Sequence, residues 1–379
     1  MAQPDRDEHW IRRALDLAAA GLGRVAPNPM VGAVLVQGDK VISEGYHTRF
    51  GGPHAEVVAI EQAGPRARGA ELFVSLEPCC HHGKTPPCTE AILAAGVRRV
   101  VVAVADPFPE MAGRGLAVLK KADVEVRAGI LEAEARRLNA AYFKRQATGL
   151  PLIIAKWAMT LDGRMADAAG DPDVHRDWIS SEESRRRVHE VRRIVDGVLV
   201  GARTVEVDRP RLTVRHVEPL TERGQPTRIV LDSTLGTDPK REPAASAGDV
   251  PVLIYTTAEA LEAKGDRAAA LREAGCEPVA VPAGPGGVSL EAVLRDLGRR
   301  GMSRVLVEGG ARIFGSFFAA GLVDRVMVFV SPKVLGGAGA LGPVTGPDAR
   351  TLAETIQVKD FAASRVGPDL LIEGRLGEF

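Results

Sequence analysis

The chain has 379 residues, 45% of them hydrophobic and 26% charged, a globular composition with enough apolar material for two domains. Lys plus Arg and Asp plus Glu both number 49, so a formal net charge of zero argues against a nucleic-acid-binding protein. No apolar run reaches the roughly 20 residues of a transmembrane helix, and the charged N-terminus lacks the apolar segment of a signal peptide. We therefore expect a cytoplasmic protein that binds neither nucleic acid nor membrane.

The first half of the chain alternates helical and extended patterns, which is typical of an α/β layer fold with a partly parallel sheet. Two strands are expected around the Gly38-Asp39 turn, and the segment 98–106 lacks polar alternation, as strands buried on both faces do. Hydrophobic spacing predicts further strands at 70–78 and 124–129, and helices at 6–21, 54–64, 88–96, 112–121 and 131–146.

A second α/β series begins after a boundary at 147–151, so we expect domains at 1–146 and 150–379. Surface loops are expected at 244–248 and 282–287, where small residues, Gly and Pro cluster. The arginines of 180–193 are interpreted mainly as one solvated face of a helix. Strands are predicted around 152–159, 197–201, 227–233, 251–257, 304–310 and 325–334, with helical segments at 258–274 and 288–300.

Two stretches of the first half carry the residues of a metal site. "PHAEVVAIEQAG" places His54 and Glu56 at a predicted helix start, and "SLEPCCHHGKTPPC" contains Cys79 and Cys88 at the starts of helical segments. Four cysteines are too few for a disulfide framework in a chain of this length, whereas imidazole and thiolate are the ligands that zinc prefers. Three ligands leave one position for water, and a nearby carboxylate can carry that water's proton.

A structural zinc site is the alternative to a catalytic one, because Cys80, His81 or His82 is available as a fourth ligand. The combination of H-A-E, a strand, E-P-C and a later Cys favours catalysis. It matches the first part of the signature of zinc nucleobase deaminases, although residues 80–87 separate the two cysteines.

The stretches "NPMVGAVLV", "HAEVVAI", "SLEPCCHHGKTPPC" and "DPFPEMAGRG" resemble the deaminase domain of the bifunctional riboflavin-biosynthesis deaminase/reductase family. The resemblance covers about the first 145 residues. It implies a Zn²⁺ ion held by His54, Cys79 and Cys88, with Glu56 as the catalytic proton carrier. It also implies that Asn28 binds the pyrimidine of the substrate. Phe108 departs from the family's usual D-P-N-P.

The stretches "TLDGR", "GARTVEVDRPRLTVR" and "VEGGARIFGSF" resemble the reductase domain of the same family, which has a dihydrofolate-reductase-like α/β fold and uses NADPH. The segment before Trp178 is longer than the family pattern, with Arg176 in place of the common serine. The resemblance implies substrate contacts at Arg192, Leu212, Arg215 and Glu308. It implies NADPH contacts at Ala158, Trp178, Thr204, Asp208, Ser233, Gly310, Ala311, Arg312, Ile313, Phe314, Gly315 and Ser316.

The fold class expected from this resemblance is α/β with two domains, a cytidine-deaminase-like domain followed by a reductase-like one. The implied partner is a small phosphoribosylaminopyrimidine that is deaminated hydrolytically and then reduced from ribosyl to ribityl, and a homo-oligomer is expected. One alternative is a zinc deaminase acting on another nucleotide or nucleic-acid base, with an inactive nucleotide-binding second domain. A non-catalytic zinc module is a further alternative, against which the intact Glu56 argues.

Overall fold

The structure is a computed structural model that describes residues 3–82, 86–165, 178–220, 224–346 and 351–379. Two of the sequence expectations lie outside these ranges, namely the altered segment 171–177 with Arg176 and the middle of the segment between the cysteines, 83–85. The chain folds as two compact units, unit 1, which is Met1–Gly149 together with Phe379, and unit 2, which is Leu150–Glu378. None of the helices within the described ranges has the length and apolarity that a membrane span requires.

Unit 1 is built around a five-stranded sheet in the order β2-β1-β3-β4-β5. Strand β1 pairs antiparallel with β2 and β3, whereas β3, β4 and β5 run parallel. A short 3₁₀ helix, Gly64–Ala67, follows the second helix. The strands are β1 (Gly32–Gln37), β2 (Lys40–Tyr46), β3 (Glu71–Val74), β4 (Arg99–Val102) and β5 (Glu125–Ala128), and the helices are α1 (Gln3–Ala19), α2 (Ala55–Ala63), α3 (Cys88–Ala95), α4 (Arg114–Lys121), α5 (Glu132–Leu138) and α6 (Ala140–Thr148).

Helices cover both faces of this sheet, which explains its continuous apolar strands. Ala33 and Leu35 of β1 belong to the cluster that packs under α2, α3 and α4, whereas Val34 and Val36 belong to the cluster under α1, α5 and α6. Alternate strand residues therefore enter opposite cores. The expected α/β layer fold with a partly parallel sheet is confirmed.

One glycine brings α2 directly against the sheet. A Cβ atom on Gly45 of β2 would lie 2.4 Å from the backbone oxygen of Ala55, too close for any other residue. Since Ala55 is the first residue of α2, this contact sets the position of the helix start that carries His54 and Glu56.

The single helix predicted over 131–146 is wrong, because the structure contains α5 and α6 with a break at Asn139. The buried side chain of Asn139 accepts the backbone N–H of Met30 and donates to the carbonyl of Met30, both at 2.8 Å. This pair of tertiary hydrogen bonds fixes Asn139 to the loop before β1.

Unit 2 contains a nine-stranded sheet in the order β10-β9-β8-β7-β13-β6-β14-β16-β15 and a separate two-stranded sheet. Two 3₁₀ helices occur at Ala244–Ser246 and Leu352–Glu354. The strands are β6 (Leu152–Thr160), β7 (Gly197–Gly201), β8 (Thr227–Leu231), β9 (Val252–Thr257), β10 (Cys276–Val281), β11 (Ala283–Gly284), β12 (Gly287–Val288), β13 (Arg304–Gly309), β14 (Arg325–Ser331), β15 (Lys359–Val366) and β16 (Asp369–Arg375), and the helices are α7 (Glu182–Arg192), α8 (Ala202–Asp208), α9 (Ala258–Ala263), α10 (Gly265–Glu273), α11 (Leu290–Arg299) and α12 (Ala311–Ala319).

Seven neighbouring strands of this sheet, β10 to β14 in the sheet order, are parallel, and the antiparallel hairpin β15–β16 extends one side. The loops after β6, β7, β8, β13 and β14 therefore lie at one carboxyl edge. Ligands of open α/β sheets bind at such an edge.

Three local predictions in this half are wrong. The segment 244–248 is not an exposed loop, since Ala244 is fully buried and begins a 3₁₀ helix. The segment 282–287 contains strand β11 and the first residue of β12, which pair as a small hairpin. The helical segment at 258–274 is two helices, with Lys264 between them. Each of these features depends on contacts that local composition does not reveal.

Candidate active sites of the two units

Three side chains at the ends of elements meet in unit 1. His54 is the N-cap residue of α2, Cys79 lies in the loop after β3, and Cys88 begins α3. Their ligand atoms all lie within 4.8 Å of one another. His54 Nδ1 is 3.1 Å from Cys88 Sγ and 3.4 Å from Cys79 Sγ, so one ring nitrogen faces both sulfurs. One imidazole nitrogen and two thiol sulfurs fit a Zn²⁺ ion, and the set leaves a fourth tetrahedral position open.

The surroundings of Cys79 favour its thiolate. Its sulfur accepts the backbone N–H of Cys88 at 3.3 Å, and it also faces the Cys88 thiol and the His54 ring. The hydrogen bond with the Cys88 side chain is the main influence that lowers the pKa of Cys79. A cysteine has to lose its proton before it binds a metal ion, so these contacts favour the metal-binding form of Cys79.

Glu56 lies beside this cluster on the first turn of α2 and is 3% exposed. Burial is the main reason that its pKa rises to about 7, and the neighbouring Cys79 adds to the effect. The carboxyl group hydrogen-bonds with the Cys88 side chain. A carboxyl group with such a pKa exchanges protons near neutral pH, as an acid/base group must.

The residues that sequence reasoning held available as a fourth ligand face elsewhere. Cys80 Sγ lies 3.9 Å and His81 Nδ1 3.0 Å from Met111 Sδ. His82 Nε2 lies 3.3 Å from a carboxylate oxygen of Glu90. Within the described part of the chain, His54, Cys79 and Cys88 form the one cluster that has metal-site geometry.

Asn28 is held next to this cluster by a histidine that sequence reasoning missed. The amide nitrogen of Asn28 lies 3.3 Å from His47 Nε2, and His47 Nδ1 lies 3.0 Å from the carbonyl oxygen of Pro53. The two contacts fit a neutral His47 that donates to Pro53 and accepts from Asn28. The rings of His47 and His54 also meet edge to face, with centroids 5.4 Å apart. The role of His47 could have been predicted from its position at the end of the second predicted strand.

In unit 2, the expected cofactor residues gather at the carboxyl edge of the sheet. Ala158 lies near the end of β6, Thr204 in α8 directly after β7, and Ser233 after β8. Asp208 ends α8, and Trp178 stacks under the Arg185 guanidinium at 5.0 Å. Trp178 is 66% exposed, so the ring face opposite Arg185 is available to a planar ligand.

The stretch Gly310–Ser316 forms the start of α12, with Gly310 as its N-cap residue. A Cβ atom on Gly310 would lie 3.2 Å from Thr204 Oγ1, so the backbone approaches α8 closely. Gly309 has a φ of 142°, which favours glycine. An open glycine turn before a nine-residue helix fits a phosphate-bearing cofactor such as NADPH, because unpaired N–H groups and the helix dipole favour anions.

Arg192 and Glu308 form a buried ion pair through two contacts of 2.6 and 2.7 Å. Burial by itself would raise the pKa of Glu308, but the Arg192 guanidinium lowers it to about 2. Arg192 also donates to the carbonyl of Thr213 at 3.0 Å. The interpretation of the helix arginines as a solvated face is therefore wrong for Arg192, which is 9% exposed.

Arg215 and Leu212 lie on the segment that follows α8. Arg215 is exposed, whereas Leu212 is buried and has a positive φ of 55°. The backbone N–H of Arg215 donates to His189 Nδ1 at 3.2 Å. Burial and the nearby Arg192 lower the pKa of His189 to about 4, so this ring remains a neutral acceptor. The role of His189 was not predicted, because its partner is distant in sequence.

The fold and these sites define a two-unit enzyme, a zinc-type pyrimidine deaminase followed by a reductase. The family model "Cytidine and deoxycytidylate deaminase zinc-binding region" matches residues 4–104, and "RibD C-terminal domain" matches residues 151–372. The riboflavin biosynthesis protein RibD of Aquifex aeolicus is 40% identical over 366 residues, which is 97% of each chain. The Escherichia coli protein of the same name is 38% identical over 97% of this chain and 98% of its own.

Solved structures agree with the sequence matches. Acinetobacter baumannii RibD superposes with a TM-score of 0.87 at 34% identity and covers 99% of this chain and 100% of its own. A Thermotoga maritima protein described as a diaminohydroxyphosphoribosylaminopyrimidine deaminase/5-amino-6-(5-phosphoribosylamino)uracil reductase has a TM-score of 0.80 at 36% identity, with 99% of both chains covered.

The chain belongs to the RibD family of riboflavin biosynthesis. It is a bifunctional enzyme whose deaminase domain is zinc-dependent and whose reductase domain is NADPH-dependent.

Proposed function

We propose that unit 1 removes the amino group of 2,5-diamino-6-(5-phosphoribosylamino)pyrimidin-4(3H)-one by hydrolysis, and that unit 2 then reduces the ribosyl group of the product to ribityl. The observation that carries the first step is the convergence of His54, Cys79 and Cys88 beside the buried Glu56. The carboxyl-edge residues of unit 2 support the second step.

In the first step, His54, Cys79 and Cys88 hold the zinc ion. Bound zinc supplies Lewis acidity, which makes water a nucleophile at neutral pH. Glu56 takes a proton from the attacking water and delivers it to the departing amino group, so ammonia leaves. Asn28 hydrogen-bonds the pyrimidine ring, and His47 orients its amide.

In the second step, the residues at the carboxyl edge of the unit 2 sheet would hold NADPH, which would supply the hydride for C1′ of the opened ribose. The stretch from Gly310 to Ser316 would hold the cofactor phosphates through the N–H groups of the first turn of α12, which precede Phe314, whose N–H already donates to the carbonyl of Gly310. Thr204 and Ser233 contribute hydroxyl groups, and the exposed face of Trp178 stacks on a ring of the cofactor. Ala158 and Asp208 are the remaining residues that we expect to contact NADPH.

The substrate lies between the cofactor and the segment that carries Arg215. The exposed guanidinium of Arg215 binds the ribose phosphate, because its planar donors match an oxyanion. Glu308 is kept ionised by Arg192, and the remaining lone pairs of its oxygens accept hydroxyl groups of the sugar. The strained backbone at Leu212 offers a further contact to the substrate.

A Glu56→Gln variant distinguishes a catalytic zinc site from a structural one. Deamination should be lost while zinc content is retained, because Glu56 is not among the three ligands. Glu132→Gln is the matched control, since Glu132 is an exposed carboxylate of unit 1 that pairs with the neighbouring Arg136. Full deamination by Glu56→Gln would refute the proton-carrier role, whatever the zinc content.

A paired assay tests the order of the two steps. Ammonia release and NADPH oxidation are followed together on the diaminopyrimidinone ribosyl phosphate, with and without NADPH. We expect ammonia without NADPH, and NADPH oxidation only after deamination. Ammonia release without any NADPH oxidation would instead support a deaminase with an inactive second unit.

We also propose that the enzyme acts in the cytoplasm as a homo-oligomer, an expectation that rests on the resemblance to the family. Light scattering coupled to size-exclusion chromatography tests the second part, since a mass of one chain would contradict it.

A further inference from the structure

A buried carboxylate lies two residues before Cys79 and takes no part in the cluster of ligands. Glu77 is 4% exposed. Its Oε2 accepts the backbone N–H groups of Asp106 and Gly113, both at 3.0 Å. Its Oε1 accepts those of Gly115 at 2.9 Å and Leu116 at 3.3 Å. Four backbone donors thus surround one side chain that is remote from them in sequence.

We propose that Glu77 is a positioning residue for deamination. It fastens the loop 106–116 onto the turn that presents Cys79, and it thereby supports Cys80 and His81, the two residues that directly follow this ligand. The inference rests on the proposed function of unit 1, because it assigns an effect on substrate binding at that site.

The four backbone N–H donors require a carboxylate at position 77. A carboxylate has acceptors only, so both oxygens can take two N–H groups, whereas a glutamine would turn an NH₂ group toward two of them. A buried carboxylate without such donors would be costly. The backbone N–H of Glu77 also donates to the carbonyl of Val104 at 3.0 Å, so Glu77 binds this neighbouring chain through its main chain as well.

The loop is shaped to fit this side chain. Gly113 has a φ of 81°, which favours glycine, and its N–H points at Glu77. A Cβ atom on Gly115 would lie 2.1 Å from the carbonyl oxygen of Pro78 and 3.2 Å from Glu77 Oε1. The close approach of the first turn of α4 to the E-P-C turn therefore requires glycine at 115.

The far side of the same loop contacts the segment between the cysteines. Met111 is 1% exposed, and its sulfur lies 3.9 Å from Cys80 Sγ and 3.0 Å from His81 Nδ1. The ring of Phe108 lies 6.3 Å from that of His81. Cys80 and His81 directly follow the ligand Cys79, so they lie beside the cluster. A loop released from Glu77 would no longer support these two residues.

The experiment compares Glu77→Gln with the wild type and with Glu132→Gln in the full-length enzyme. Zinc content, deaminase kcat and KM, reductase kinetics on the deaminated substrate, and hydrogen exchange of the 106–116 amides are measured. We expect Glu77→Gln to keep zinc and reductase activity, to exchange faster at 106–116, and to raise the deaminase KM about tenfold or more, because a small displacement of positioning groups has effects of this size.

Two further variants sharpen the test. Gly115→Ala should raise the deaminase KM in the same direction, because it disturbs the same contact without removing the charge. Glu77→Asp keeps the acceptors and should retain more activity than Glu77→Gln. Faster exchange at 106–116 with unchanged deaminase kinetics would overturn the inference.

A fall in kcat that matches lost zinc or lost folded protein, with KM unchanged, would also overturn it, since that is the signature of a purely structural role. A wild type that releases no ammonia would instead refute the proposed function of unit 1. The exchange measurement still reports on the loop contact in that case, so the two failures are distinguishable.

Discussion

Arg192 and Glu308 face each other through two parallel contacts, in which Arg192 Nε lies 2.6 Å from Oε1 and a terminal nitrogen lies 2.7 Å from Oε2. The side chains are only 10% and 8% exposed, and they join α7 to β13. An ion pair of this kind couples the stability of unit 2 to its reductase site, since both residues are expected at the substrate.

Removing one partner of this pair should destabilise unit 2 strongly. Arg192→Leu leaves the buried Glu308 carboxylate without the guanidinium that hydrogen-bonds to it, and loss of one partner costs about 3–5 kcal/mol in such pairs. The double variant Arg192→Leu/Glu308→Leu should regain much of that loss. The unfolding free energy of unit 2 is measured by urea unfolding, followed by tryptophan fluorescence. A Trp10→Phe background is used, because the remaining tryptophans, Trp157 and Trp178, both lie in unit 2. Equal stability of Arg192→Leu and wild type would contradict the prediction.

The same pair predicts a pH dependence of stability. The pKa of Glu308 falls from an ordinary 4.5 to about 2 in the folded protein, so its stabilising contribution is complete above pH 4.5 and is lost as the pH falls toward 2. The shift corresponds to about 3 kcal/mol. The difference in unfolding free energy between wild type and Glu308→Gln should shrink by about this amount across that window. A difference that stays constant with pH would refute the assignment.

His189 should act on substrate binding through Arg215. Its Nδ1 accepts the backbone N–H of Arg215, and its low pKa keeps the ring neutral above pH 5. His189→Leu removes the acceptor and should raise the reductase KM for the phosphorylated substrate about tenfold. His189→Asn replaces Nδ1 with an amide oxygen and should recover most of the affinity. The KM for NADPH is the internal control, and an equal change in both KM values would contradict this role.

The position of the metal ligands predicts that deamination can be lost without loss of reduction. Cys88→Ser, or removal of zinc with a chelator, should abolish deamination and leave reduction of the deaminated substrate intact, because the ligands all lie in unit 1. Cys80→Ser is the matched control and should keep both zinc and deamination, since Cys80 faces Met111. Metal analysis together with both assays checks this, and loss of zinc from Cys80→Ser would show that the ligand set is wrong.

Much of the architecture followed from local patterns. The β1–β2 hairpin and α2 are where hydrophobic period and turn residues predicted them, because a two-residue period and a 3.6-residue period are properties of the chain alone. The convergence of His54, Cys79 and Cys88 was also predictable from their motifs, and His54 and Cys88 do stand at helix starts. The prediction of a helix start at Cys79 is wrong, because Cys79 lies in the loop after β3. The break at Asn139 was not predictable, because its cause is a pair of hydrogen bonds to Met30.

The residue types and spacings of this chain were enough to define two α/β units, a three-ligand zinc cluster with a nearby carboxylate, and a glycine turn before a helix. The polar partnerships were not accessible in the same way. Glu77 and His189 bond to groups that lie far along the chain, and His47 joins Asn28 to Pro53. Arg192 is buried although its helix is rich in charge. Folding alone brings such groups together and removes the water that would otherwise satisfy them.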